Sequence, residues 1–254
     1  MTRRHALNHN SLRHRVPRLI RNLAARRLRL VDPRQDSPTR DFARFFTHLK
    51  SLDFAPATCI DVGAANGTPS IYSAFPDARH LAFEPLQEFQ DSLHSTLAPY
   101  NHRIFSVSLM DQPGEQSIVR SDDAYGSSMM HSLADGHEKL LTVRVDTLDH
   151  ALADEPLDGP CLLKTDCQGA DLAVIKGGAQ TLAKCDVVIL EVSLFRYWGP
   201  HHPDFHDIIS YMHDRGFVVY DLLDGLFRPL DGALGQIDVV FVKEHGGLRA
   251  SSHW

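Results

Sequence analysis

Seven short apolar runs punctuate the chain, at residues 58–62, 80–83, 103–109, 161–165, 187–192, 217–220 and 237–242. Each is strand-length and rich in Val, Ile, Leu and Phe, and each is bounded by polar or turn-forming residues, so each predicts a buried β-strand. Between most of them the spacing changes to that of an amphipathic helix, at residues 86–97, 172–182 and 205–215. An earlier helix is predicted from Phe42, Phe45, Phe46 and Leu49, which repeat as i, i+3, i+4, i+7. Strand and helix in alternation predict an α/β fold, a mostly parallel sheet covered on both faces. Residues 114–145 break the rhythm. There "EQSIVR" and "LTVRV" predict an inserted β-hairpin flanking a polar loop.

Charge divides the chain unevenly. The first 34 residues hold ten Arg and one acid, a net of about +9, so the remainder must carry about −15 to give the total of −6. This predicts a basic arm and linker over residues 1–40, a catalytic-size domain over 41–245 and a tail over 246–254. Within the arm, Leu12, Val16, Leu19, Ile20 and Leu23 keep helical spacing with Arg between them. A helix packed across the domain, a basic tail and a helix lying on an anionic membrane all fit residues 1–34. Nucleic acid is not expected as a partner, because the acidic body would repel phosphates. No apolar run is long enough to span a bilayer, and no apolar segment of the secretory kind stands near residue 1. The four cysteines lack metal-site spacing, and three fall at the edges of apolar runs as free buried thiols do. A cytoplasmic location is expected, with peripheral attachment to the membrane's inner face if the arm binds lipid.

The chemistry is concentrated at the ends of the predicted strands. The first strand leads into "CIDVGAANGTPS", where Asp61 precedes two glycines, Gly63 and Gly67, that permit a tight turn. In open α/β sheets ligands sit outside the carboxyl ends of the strands. The second strand ends in "FEP", placing Glu84 about twenty residues on, where an acid can accept both hydrogen bonds of a ribose diol. A nicotinamide dinucleotide and S-adenosylmethionine both carry that ribose. The dinucleotide fingerprint G-x-G-x-x-G is absent, and an acid two residues before the first glycine suits a cationic cofactor better than a pyrophosphate. The expected cofactor is therefore S-adenosylmethionine.

From "CIDVGAANGTPS" the chain continues through "HLAFEPLQEF", "VRVDTLDHAL", "LLKTDCQGADLAVIKGGAQTL", "VVILEVS" and "GFVVYDL" to "GQIDVVFVKE". In this order and at these intervals it resembles the FkbM family of methyltransferases. The most specific block is "KTDCQGADLAVIKGG", in which Lys164, Asp166, Gln168, Gly169, Asp171, Lys176 and Gly177 match the family pattern. The resemblance implies a class I methyltransferase fold, Rossmann-like, a three-layer sandwich around a seven-stranded sheet with one reversed strand. It also implies methyl transfer to a hydroxyl of a carbohydrate or natural product. The family usually has Asn where this chain has Ala65, with Asn66 following it. Asp61, Gly63, Ala64, Asn66, Gly67, Glu84, Ser106 and Asp166 form the expected cofactor site.

Transfer to a hydroxyl needs an aligned oxygen and a group that takes its proton. Asp166, Lys164 and Glu191, at the ends of the fourth and fifth strands, are the candidates. Their structural alternatives are a helix cap for Asp166 and ion-pair partners for the other two. Gln168, Trp198 and His202 are expected to contact the acceptor. The run "RYWGPHHPDFH" offers His201, His202, Asp204 and His206, but not at the spacing of a tight metal site, and Asp204 there suits a helix cap; no metal is expected. The segment 125–132 lines the pocket or forms a plain loop. Two other classes stay open: a non-catalytic methyltransferase-like binding module tethered by its arm, and a nicotinamide-dependent oxidoreductase.

Overall fold

The expected alternation of strand and helix is present in the computed structural model, which describes residues 39–120, 139–197 and 199–253. In chain order the first half contains α1 (Phe42–Ser51), β1 (Thr58–Val62), α2 (Pro69–Ala74), β2 (Arg79–Phe83), α3 (Gln87–Leu97), β3 (His102–Phe105) and β4 (Ser108–Leu109). Then follow β5 (Gly114–Arg120), β6 (Lys139–Asp146) and α4 (Leu148–Ala151). The second half is β7 (Cys161–Thr165), α5 (Asp171–Gly177), α6 (Ala179–Lys184), β8 (Val187–Ser193), α7 (Phe205–His213), β9 (Phe217–Phe227) and β10 (Leu234–Lys243). Seven strands form one sheet in the order β3-β2-β1-β7-β8-β10-β9. All run parallel except β10, which is antiparallel to both its neighbours. This is the sheet that the resemblance implied.

Alternation along each strand divides the core into two layers. Ile60, Val62, Leu163, Leu190 and Val239 point to the layer built with α4, α5, α6 and α7. Cys59, Leu162, Ile189 and Val240 point to the layer built with α1, α2 and α3. The central strands are buried on both faces, which is why they read as unbroken apolar runs. The phenylalanine stripe of α1 is buried at Phe45, Phe46 and Leu49, and Asp41 caps the helix by accepting the Arg44 amide at 2.7 Å.

Three sequence readings change in detail. The run 103–109 is two strands rather than one. β3 ends where its partner β2 ends, at Phe83 opposite Phe105, and Ser108–Leu109 joins β6 instead. The predicted insertion therefore forms a three-stranded sheet, β4-β6-β5, whose antiparallel β5–β6 pair is the expected hairpin. The helix expected over 172–182 is broken at Gly177 and Gly178. A Cβ on Gly177 would stand 2.1 Å from the Met110 carbonyl oxygen, and one on Gly178 would stand 2.7 Å from Leu148, so close packing requires glycine at both positions of the break. Finally, the strand expected over 217–220 runs on to Phe227 and forms a long hairpin with β10. The basic segment 1–34, the segment 125–132 and Trp198 lie outside the described residues. Among the described residues no helix is long and apolar enough to cross a membrane.

Candidate active site

The first strand of the site ends in a turn whose shape its own neighbours dictate. Gly63 has φ +72°, and a Cβ there would lie 2.0 Å from the Asp166 carbonyl oxygen. The bulky group that the first glycine admits is thus the backbone of the turn after β7. Gly67 has φ +98° and meets Thr96 and Tyr72. Between them Ala65 also takes a positive φ, 45°. The family's Asn tolerates this left-handed region better than Ala does.

Glu84 ties this turn to the second strand tip. Its carboxylate accepts the amides of Ala65 at 2.9 Å and Leu86 at 2.8 Å, and the residue is buried. Burial raises its pKa, against the pull of those two amides. Gln90 donates to the Glu84 carbonyl at 2.7 Å and accepts from the Ser106 hydroxyl at 3.1 Å. Ala64 is buried, with its amide on Phe83, and the Asn66 side-chain oxygen accepts the Ser92 hydroxyl. Apart from Asp61, which lies within β1, every residue of the expected cofactor set lies on the loops that leave β1, β2, β3 and β7.

A row of ionisable residues crosses the sheet below these loops. Asp61, Lys164, Glu191 and Asp238 each interrupt an apolar strand. By alternation all four share the face of α1, α2 and α3. Asp61 lies directly beside Lys164, and Glu191 directly opposite Asp238. The Lys164 ammonium is buried, 3.7 Å from Asp61 and 3.3 Å from Asp166. Tyr72, wholly buried, donates to Asp61 at 2.5 Å. The other Asp61 oxygen is buried with no hydrogen-bond partner.

One ammonium cannot neutralise four carboxyls, Asp166 included, so the group retains protons. Burial alone would lower the Lys164 pKa, but Asp166, Asp61 and Asp238 more than offset it, and the net shift is upward. Lys164 is a fixed cation at neutral pH and cannot accept a proton. Glu191 is pushed up to about 9 by burial and then by Asp166, Asp171 and Asp238. Asp238 is raised to about 7 by burial and Asp166. Asp166 is different: its side chain is 36% exposed, held by Lys164 and by the Gln168 amide at 3.2 Å. Gln168, at φ +47°, also donates to Glu191 at 3.3 Å.

The helix-cap alternative for Asp166 is not what forms. α5 starts at Asp171, five residues later, without a side-chain cap. Asp171 itself braces the turn, accepting from Thr165 at 2.6 Å and from the Cys167 amide at 3.2 Å. Its pKa is raised to about 6 by burial.

Beyond β8 the polar run is organised by Arg196, which donates to Asp204 and Asp207 and to the carbonyls of Pro200 and His202. Asp204 caps α7 in a reciprocal box with Asp207. His202 is buried, and its Nε2 donates to the Gly169 carbonyl at 2.9 Å, pinning this loop to the Asp166 turn. Burial lowers the His202 pKa. A cleft of about 580 Å³ opens between that turn, α5 and α7, with Lys176, His201, His206, Ser210 and Tyr211 in its wall. Among the described residues no three His, Cys, Asp or Glu side chains converge as metal ligands.

Asp238 and Tyr72 were missed in the sequence. Asp238 carried the same signal as Glu191, a lone acid inside an apolar strand ("QIDVV" beside "ILEVS"). Tyr72 carried none, since a tyrosine in a helix reads as core.

The sequence matches the family described as "Methyltransferase FkbM domain" over residues 61–219, more than half of the chain. No curated protein matches it. Solved structures similar to it include a magnesium protoporphyrin IX methyltransferase from Synechocystis PCC 6803 with bound S-adenosylmethionine. Identity is 11%, with 90% of this chain and 85% of that one covered and a TM-score of 0.44. A 1,6-didemethyltoxoflavin N1-methyltransferase from Burkholderia thailandensis shares 14% identity, covering 89% and 87%, with a TM-score of 0.43. A ribosomal protein L11 methylase from Lactobacillus delbrueckii subsp. bulgaricus shares 13%, covering 80% and 78%, with a TM-score of 0.42.

Proposed function

The chain belongs to the FkbM methyltransferase family, and from that premise we propose that it uses S-adenosylmethionine to methylate a hydroxyl of a carbohydrate or natural product. The observation that carries the acceptor side is Asp166, a part-exposed carboxylate fixed by Lys164 and Gln168 at the tip of β7.

The residues present fit the cofactor. The buried Asp61 oxygen that makes no hydrogen bond, 3.7 Å from the Lys164 ammonium, keeps lone pairs that would take an ammonium group. Glu84 spends one hydrogen bond per oxygen on the loop amides and keeps lone pairs for ribose hydroxyls. Gly63 to Gly67 would carry the backbone past the cofactor. When bound, S-adenosylmethionine supplies an electrophilic methyl that needs no further activation.

The protein then has two tasks, to orient the acceptor oxygen and to receive its proton. Asp166 serves both: it stands at the tip of β7 with its side chain 36% exposed. Lys164 holds it in place and stays charged. Glu191, protonated at neutral pH, lends no negative charge of its own and fixes Gln168. General-base assistance of this kind adds about 10²–10⁴-fold. The cleft beside Gly169 offers polar groups for the non-reacting part of the acceptor.

Calorimetric titration tests the reading. S-adenosylmethionine and S-adenosylhomocysteine should both bind, and Glu84→Ala should weaken both by about tenfold or more, because both carry the ribose. Binding of neither by the folded wild-type protein would favour a non-catalytic module, and binding of NADH instead would favour an oxidoreductase.

A further inference from the structure

The β9–β10 hairpin ends in a strongly apolar tip. Leu226, Phe227 and Leu230 are 63%, 71% and 82% exposed. Tyr197, 40% exposed, lies at the same end of the hairpin, with its hydroxyl against Gly235. Large apolar side chains exposed together at one hairpin tip mark a candidate interaction surface.

The tip is also electrically neutral. Arg228 and Asp231, its charged pair, form two hydrogen bonds at 2.7 and 2.6 Å. The Arg228 guanidinium stacks on Phe195 at 3.8 Å. Entry into a low-dielectric phase would therefore bring in no unpaired charge. Four side chains at a projecting tip fall well short of the roughly 800 Å² per partner that a stable protein–protein contact buries. A lipid surface needs no such area, because side chains insert singly among acyl chains.

The placement of the tip connects it to the site. β10 is the reversed strand, so its start lies at the rim where the parallel strands end. Leu234 pairs with Phe227, and Asp238, four residues along, pairs across β8 with Glu191. At about 3.4 Å per residue, the Leu234–Phe227 pair at the foot of the tip stands roughly 14 Å beyond the carboxyl row, in the direction in which the site opens.

We propose that the hairpin tip Leu226, Phe227 and Leu230 inserts into the surface of a lipid bilayer and holds the catalytic rim against it. The acceptor is then an amphiphile, a hydroxyl-bearing polar head on a lipid tail. Side chains seated about 5–10 Å into the headgroup boundary leave Asp166 and Glu191 just above it, level with a protruding head. The membrane contact stands on the tip alone; the nature of the acceptor rests on the methyl-transfer reading above.

Vesicle flotation of the full chain tests this, with phosphatidylcholine vesicles and with vesicles of equal parts phosphatidylcholine and phosphatidylglycerol. The wild type should float with vesicles, and the combined Leu226→Ser, Phe227→Ser, Leu230→Ser variant should lose about tenfold or more of that partition on both. Equal partition of variant and wild type would overturn the proposal, as would a wild type that floats with neither vesicle. Sedimentation velocity supplies a second check: a wild-type dimer that the variant dissolves would make the tip a self-association surface instead. Cofactor titration on the same samples separates the two readings. Its failure would remove methyl transfer while leaving the anchor to be judged by flotation.

Discussion

Positions 63 and 65 occupy the same turn and should respond oppositely to the same kind of change. Gly63→Ala drives a Cβ into the Asp166 carbonyl and should cost about 3 kcal/mol or more in stability. Ala65→Gly relieves a left-handed alanine and should gain about 0.5–1 kcal/mol, reduced by the small apolar contact Ala65 makes. Chemical denaturation of both variants checks this, and a neutral Gly63→Ala would show that the two turns can separate. At the neighbouring position, Asp166→Asn keeps the shape and removes the charge. It should leave the fold intact and lower turnover by about 10²-fold. Near-normal turnover would assign the proton acceptor elsewhere. Of these facts the sequence carried the residue types and their spacing. It could not carry the reason for Gly63, because the atom that demands a glycine there belongs to a turn about a hundred residues away.

At the level of strands, β8 and β10 place Glu191 and Asp238 opposite each other, and both prefer to keep a proton. The unfolded chain releases the Glu191 proton near its ordinary 4.5, whereas the folded protein holds it to about 9. In that window the native state binds more protons, so the stability this proton confers falls as pH rises. Asp238 adds a similar loss between its ordinary 3.8 and about 7. Glu191→Gln cannot ionise. Its melting temperature relative to wild type should climb steadily from pH 5 to pH 9; parallel curves would mean that Glu191 is ionised throughout. Most strands and long helices were legible from apolar periodicity. What was not legible is where an element stops for want of a partner, as β3 does at Phe105, or which neighbours demand glycine where a helix breaks, as Met110 and Leu148 do at Gly177 and Gly178.

On the scale of the whole molecule, the class of the sheet and its one reversed strand followed from the alternation and from the family resemblance, and the candidate site residues were read from the strand ends. The three-stranded side sheet was legible only as a hairpin, since its third strand is two residues long. The central pair of the sheet has a further consequence, for how the protein is made. Thr58 of β1 lies against Cys161 of β7, and the chain between them holds the parallel strands β2 and β3 and the whole side sheet. A growing polypeptide therefore completes β1, β2 and β3 as an unfinished half-sheet, with the flank of β1 bare until β7 is synthesised. That loop closure is entropically costly and non-local, which makes folding slow and leaves an unpaired apolar edge open to aggregation or chaperone capture in the interval.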